Sequence, residues 1–159
     1  MVENCNAKKY CSLYVNDMHL IVMLIPYIEK ELESGNEIVT ILEDSLDDEV
    51  NTFIGKVNLG KLKKNKIKKI RWDKNLLSAE QIGEIRDKTV LVKGNYDFVN
   101  NINKNFKKDG DLRIINCFKL DDFEGNSREI LENHDAILNT LGIKKIPEMF
   151  KTNKILKMK

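Results

Sequence analysis

The chain has 159 residues, 42% of them apolar and 33% charged, with a net charge of +2. That length suits one domain that buries ~68–70% of its unfolded surface, and so small a charge does not imply a polyanionic partner. Its three cysteines, Cys5, Cys11 and Cys117, show no CxxC spacing and signal neither a disulfide framework nor a zinc site.

Taken in order, residues 1–8 are polar and predict a frayed N-terminus without an apolar signal core. Tyr, Leu and Val over 10–15 predict a buried strand, and Asp17 is placed as N-cap of the helix that follows. Apolar residues at 20, 21, 24, 25, 28 and 32 recur at helical spacing and form one wide buried face. Pro26 has no N–H to give Val22, so a kink is expected there; the alternative is an extended 20–25 with the helix starting at Pro26. The apolar run 20–25 is far short of the ~20 residues of a membrane span. A cytosolic protein with reduced thiols and no membrane partner is expected. Gly35-Asn36 is the expected C-cap, and 38–42, apolar apart from Thr40, reads as a central parallel strand. Residues 9–42 thus make a βαβ unit, which commits a chain to a parallel sheet. The turn after its first strand, Val15-Asn16-Asp17-Met18-His19, is where phosphates sit in such sheets, yet it carries neither Gly nor Lys.

Glu43-Asp44-Ser45 opens a predicted helix running to residue 57, with Ser45 as part of a capping arrangement. The stretch 56–74 is the most basic of the chain, with Ile67, Ile70 and Trp72 interleaved among its lysines. One reading is a nucleic-acid surface with lysines on phosphates and Trp72 stacked on a base. The other, preferred because acidic residues elsewhere nearly cancel the charge, is a loop leading into an edge strand over 66–72 whose lysines discourage edge pairing. Ser78 and Gln81 predict a capped short helix over 78–87, and 89–92 a strand followed by the turn Gly94-Asn95-Tyr96-Asp97. Phe98, Ile102 and Phe106 share a face of the next helix, which Lys107-Lys108-Asp109-Gly110 ends. Residues 112–118 form a strand that is apolar apart from Arg113 and Asn116. A loop over 121–125, a helix over 126–133 and a short strand over 136–138 complete the pattern. Residues 144–159, basic and amphipathic around Ile146, Met149, Phe150, Ile155 and Leu156, read as a tail that docks on the body or reaches a partner.

Six strands alternating with helices imply an α/β three-layer sandwich with a mostly parallel sheet and one domain over 9–143. In such sheets ligands bind at the carboxyl ends of strands, where the order reverses. That rule selects Tyr14, Asn16, His19, Asp44, Gly94, Asn95, Tyr96 and Cys117 as candidate ligand-binding residues. His19 either binds an anion at the helix start or caps the helix. Asp44 is the best acid, although a helix N-terminus also explains it. The Gly94–Asp97 turn is the most site-like, since Gly permits close approach and Tyr96 offers a ring with a hydroxyl. Cys117 and Cys11, in apolar strands, read as core thiols, with a ligand contact as the alternative for Cys117. His134 reads as a packing or capping residue. No G-x-x-x-x-G-K-[ST], H-E-x-x-H or G-x-S-x-G occurs, so no catalytic set, metal site or cofactor is expected.

Several segments together carry a family resemblance. Lys9-Tyr10-Cys11-Ser12-Leu13-Tyr14, Ile25-Pro26-Tyr27-Ile28 and Leu32-Glu33-Ser34-Gly35-Asn36-Glu37 resemble the opening of the methanogen and methylotroph sensory domain, MEDS, which reads H-x-C-L-x-Y, a V-P-F-like step and G-L-x-x-G-E. Asn101 to Phe106 looks like the family's helix before its fifth strand. Residues 114–123 look like its C-x-Y-D-x-x-x-F segment, and Asn133-His134-Asp135-Ala136-Ile137 like its T-H-P-x-V-I ending. The resemblance spans 9–140 and implies a RecA-like or KaiC-like core, without a Walker A loop, that senses a small molecule instead of hydrolysing ATP. His134 and Tyr14 match, whereas Lys9 replaces the family's His, Lys119 its Asp and Asp135 its Pro.

The resulting expectation is a non-catalytic sensory or regulatory domain that binds a small molecule or a regulatory protein at its strand ends, with a homodimer as a further arrangement. The alternatives are a degenerate RecA-like nucleotide-binding protein and a nucleic-acid-binding module using 56–74.

Overall fold

The structure, a computed structural model, describes residues 7–107 and 110–146. Cys5 and the tail residues Met149, Phe150, Ile155 and Leu156 lie outside that description. The first strand, β1 (Lys8–Tyr14), begins earlier than the sequence suggests, because the Lys8 N–H already donates to the Leu112 carbonyl at 2.8 Å. Helix α1 (Asp17–Glu33) follows, and its N-cap is Asn16, whose side chain accepts from the His19 N–H, so Asp17 is the first helical residue and not the cap. The helix runs unbroken through Pro26. Pro26 and Val22 both face solvent, so the helical hydrogen bond that Pro26 cannot donate to Val22 is missing on the exposed side of the helix. Gly35, at φ +82°, turns the chain out of the helix in a conformation that favours glycine.

Strand β2 (Ile38–Leu42) leads into α2 (Asp47–Lys56), which starts later than Glu43 because Ser45 is spent on a local turn, its hydroxyl accepting from the Asp47 N–H at 3.1 Å. The largest departure from expectation is α3 (Lys61–Lys68): the predicted loop and edge strand are a helix followed by an irregular segment. Ile67 and Ile70 are three residues apart, a helical interval, and both are buried while the lysines around them face solvent. Residues 71–75 then run along the outer edge of β2. Leu42 and Asn75 exchange backbone hydrogen bonds of 3.0 Å, and the Asn75 amide donates to the Thr40 carbonyl at 2.7 Å.

Helix α4 (Ala79–Gly83) carries the expected capping box between Ser78 and Gln81 but ends short of Asp87. Next come β3 (Thr89–Lys93), α5 (Tyr96–Asn103) and β4 (Arg113–Lys119). Helix α6 (Leu120–Glu132) absorbs the predicted 121–125 loop. The boundary expected at Asn126 survives as a break inside the helix, with non-helical φ −136° and ψ 22°, where the Asn126 amide donates to the Asp122 carbonyl at 2.9 Å. Strand β5 (Ala136–Asn139) turns through Gly142, at φ +112°, into β6 (Gly142–Lys145). Lys144 and Lys145 thus belong to the sheet and not to the tail.

The described residues form a six-stranded sheet in the order β2-β3-β4-β1-β5-β6, parallel except for β6. The number of strands matches the expectation but the membership does not: 66–72 drops out and 142–145 enters. Helices α1, α2 and α3 cover one face, burying Leu20, Leu24, Val50, Ile54 and Ile67 against Leu91, Ile115 and Cys117. Helices α4, α5 and α6 cover the other, with Ile82, Val99, Ile102 and Ile130 packed on Val90, Ile114 and Phe118. The protein is therefore a three-layer α/β sandwich. Among the described residues no helix is long and apolar enough to cross a membrane.

Candidate functional site

At the carboxyl ends of the strands the order reverses between β1 and β4: α1 leaves β1 on one face and α6 leaves β4 on the other. Tyr14 and Cys117 are buried here, and so is Lys93, 3% exposed at the end of β3. The Lys93 Nζ lies 3.2 Å from Asp17 Oδ1 and 4.0 Å from Asp44 Oδ2, and 6.0 Å from the centroid of the Tyr14 ring. Burial, and then the neighbouring Cys117, raises the Tyr14 phenol above its ordinary range. Burial pushes the Cys117 thiol up to about 12, with Lys93 opposing. Lys93 was not among the residues singled out in the sequence; its only signal is a lysine closing an apolar strand.

The other predicted residues at this end serve local structure. The Val15 N–H donates to His19 Nδ1 at 3.0 Å and the His19 N–H to Asn16 Oδ1 at 2.9 Å, so the turn closes on its own side chains. With those donors occupied and the Asp17 carboxylate at the helix start, the turn is poorly suited to phosphate. A Cβ on Gly94 would lie 2.3 Å from the Phe98 ring and 3.0 Å from Glu43 Cβ. Asn95 receives the Phe98 N–H on its Oδ1 at 2.8 Å and donates its own N–H to Glu43 Oε1 at 2.9 Å, capping α5 and tying it to the end of β2. Asp44 is exposed.

Tyr96 belongs to a different place. It lines a cavity of about 440 Å³ between α5 and α6, together with Asn100, Asn103 and Lys104 on one side and Glu129, Ile130 and Asn133 on the other. Lys9, Phe106, Phe118, Asn116 and His134 complete the lining. A second cavity of about 310 Å³ adjoins it, sharing Lys9, Asn103, Phe106, Asn133 and His134. The Tyr96 hydroxyl donates to the Glu129 carboxylate across the mouth, and that bond, followed by burial, raises the phenol.

The floor of the cavity is a polar network set into an apolar strand. Asn116, 1% exposed, pairs with Asn103 through two amide hydrogen bonds of 2.7 and 3.1 Å. His134 Nδ1 lies 2.6 Å from the Ile130 carbonyl, which can only accept, so Nδ1 carries the proton and Nε2 accepts from the Asn116 amide at 2.9 Å. Phe118 stands edge-on to the imidazole, with ring centroids 5.7 Å apart. Burial lowers the His134 pKa to about 4, and the positive charge of Lys9 acts in the same direction, so the ring is neutral at pH 7.

His134, which matches the family's pattern, and Lys9, which departs from it, both line this cavity. Lys119 does not: Lys9 is in register with Ile114 and Tyr14 with Lys119. The two lysines therefore stand at opposite ends of the strand pair, roughly 16 Å apart at the usual rise per residue. Trp72, 3% exposed, donates its indole N–H to the Ile67 carbonyl at 2.9 Å and has no face free to stack on a base. Among the described residues no group of three or more His, Cys, Asp or Glu side chains is arranged to hold a metal ion. No protein-family model, curated protein or solved structure matches the chain.

Proposed function

We propose that this chain is a non-catalytic sensory or regulatory domain whose small-molecule ligand sits in the groove between α5 and α6. The observation that carries this reading is the Asn103–Asn116–His134 network beneath a cavity of about 440 Å³. Buried polar side chains cost free energy unless fully bonded, and an apolar residue at 116 would continue the strand more simply. A network of this kind under an open cavity, with a few convergent polar groups and aromatic walls, has the make-up of a ligand pocket of ordinary size. The MEDS resemblance supports the sensory part of the reading through His134, from its last motif, which lines the groove; Lys9, which lines it too, stands where the family has His.

Mass spectrometry of the native protein purified from its own host tests the proposal. A bound mass is expected, and it should be absent from an Asn100→Phe variant, in which the new ring fills the groove. Retention of the same mass by that variant would place the ligand elsewhere. A thermal-shift screen with ATP, GTP and Mg²⁺ addresses the nucleotide alternative: tight Mg²⁺-dependent stabilisation would overturn the sensor reading.

A further inference from the structure

Helix α3 lies on the face of the sheet opposite the α5–α6 groove, and its charges are arranged against its own stability. Between Glu49 and Asp73 the chain has eight basic residues and no acidic one, and Asp73 is held by Arg71 at 2.9 Å. The first turn of α3 carries lysines where a carboxylate would suit the helix dipole, and its N-cap, Gly60, has no side chain to offer the free N–H groups. Lys61, Lys64 and Lys68 recur at intervals of three and four, so like charges share one stripe of the helix. Among the described residues Lys63 is the one lysine of α3 in an ion pair, with Glu33 at 3.2 Å. Beside the stripe, Leu62 is 70% exposed and borders a notch of about 140 Å³ between α1 and α3. The notch takes its charges from Glu29, Glu33, Lys63 and Lys66 and its apolar wall from Leu32, Leu62 and Ile67. Two carboxylates there match two ammoniums, so the notch is neutral by count and suits one aliphatic side chain. The surplus positive charge lies outside it, on Lys61, Lys64, Lys68 and Lys69.

We infer that α3 is the docking surface for an acidic segment of a regulatory protein, whose carboxylates lie along Lys61, Lys64 and Lys68 and whose one apolar side chain enters the notch beside Leu62. Such a segment supplies the negative charge that the helix lacks and covers the leucine that it exposes. A nucleic acid meets the first need but not the second, and Trp72, the one aromatic residue of 56–74, is buried and stacks on no base. An anionic membrane meets the same lysines but gains the burial of a single leucine, where interfacial helices present a whole apolar face. The inference does not depend on what the groove binds.

Fluorescence anisotropy of a labelled short peptide of glutamates and alanines with one central leucine, titrated with the full chain, tests it. The peptide should bind, more weakly as salt rises, and at least about tenfold more tightly than its counterpart with serine in place of leucine, as burial of one aliphatic side chain warrants. Leu62→Ser should narrow that difference, and Lys61→Gln with Lys68→Gln should weaken both peptides several-fold. All three positions are exposed, so these changes do not threaten the fold. Hydrogen exchange should show added protection over α3 when the leucine peptide is bound. Duplex DNA or phosphatidylserine vesicles that bind more tightly than the leucine peptide at the same salt overturn the inference in favour of a nucleic acid or a membrane. Equal binding of the leucine and serine peptides, indifference to the lysine changes, or no binding by folded protein overturns it as well. None of these outcomes touches the mass-spectrometric test of the groove.

Discussion

The side-chain amide of Asn116 donates to His134 Nε2 at 2.9 Å, and this bond holds a strand and the segment after α6 together through two side chains that are both at least nine-tenths buried. The same amide donates to Asn103, so Asn116 connects three elements. Asn116→Ala leaves His134 Nε2 and Asn103 Oδ1 without their donor, while the Asn103 amide N–H keeps the Val99 carbonyl, and should destabilise the protein by about 1–3 kcal/mol. Urea denaturation of the variant measures the loss.

A dependence on pH follows from His134. Its pKa is about 4 in the folded chain against an ordinary 6.5. Above pH 6.5 the ring is neutral folded or unfolded, and the full stability is present. As pH falls from there toward 4, the unfolded chain takes up a proton that the folded chain refuses, and stability drops by roughly 3 kcal/mol in total. Below pH 4 both forms are protonated and the loss levels off. The difference between wild type and His134→Gln in urea midpoint, followed from pH 8 to 3, isolates this group from the carboxylates that titrate nearby.

Cys11 and Cys117 should not react in the native protein. Both are fully buried, and burial holds both thiols at about 12. Only about one part in ten thousand is thiolate at pH 8. In a Cys5→Ser background, a disulfide reagent at pH 8 should label no thiol in folded protein and two after denaturation.

Gly94 is required for space, since the Cβ of an alanine would lie 2.3 Å from the Phe98 ring. Gly94→Ala should cost about 1–3 kcal/mol through displacement of Phe98 and the start of α5. Adding Phe98→Ala to Gly94→Ala should recover part of that loss, measured against Phe98→Ala alone.

The ion pair of Lys93 and Asp17, 3.2 Å apart, predicts an unequal response to removal of its two members. Asp17→Asn leaves the buried ammonium with the exposed Asp44, 4.0 Å away, and should destabilise by about 1–3 kcal/mol after allowance for the partial exposure of Asp17. Lys93→Met keeps the stem and removes the charge, and should cost less than about 1 kcal/mol. The double variant should be more stable than Asp17→Asn alone, as thermal denaturation of all four proteins would show.

The parts of this fold that were legible in sequence are those where burial imposes a period. Residues 38–42, 89–92 and 112–118 are mostly apolar, with Thr40, Thr89, Arg113 and Asn116 as exceptions, because they lie between two helical layers, and each is a parallel strand. In lysine-rich α3 the helical signal reduces to the interval between the buried Ile67 and Ile70, which the surrounding charge obscures in sequence. Strand β6 was missed because Gly-Ile-Lys-Lys has one apolar residue and gains its place through pairing with β5. Of the groove, Asn116 stood out as the polar residue in an apolar strand, and Tyr96 as part of the turn after β3. That Asn103, Lys9 and His134 surround Asn116 follows from strand order and helix placement, which no local pattern encodes.

The segment 71–75 along β2 has a consequence for the whole sheet. It occupies one margin through Leu42, Thr40 and Asn75, whereas among the described residues the far side of β6 pairs with nothing. Among the described residues the two margins of the sheet thus differ in kind: one is lined by 71–75, held to β2 through the Leu42–Asn75 bridge, and the other ends in a short antiparallel strand with Leu141 and Ile143 exposed beside it.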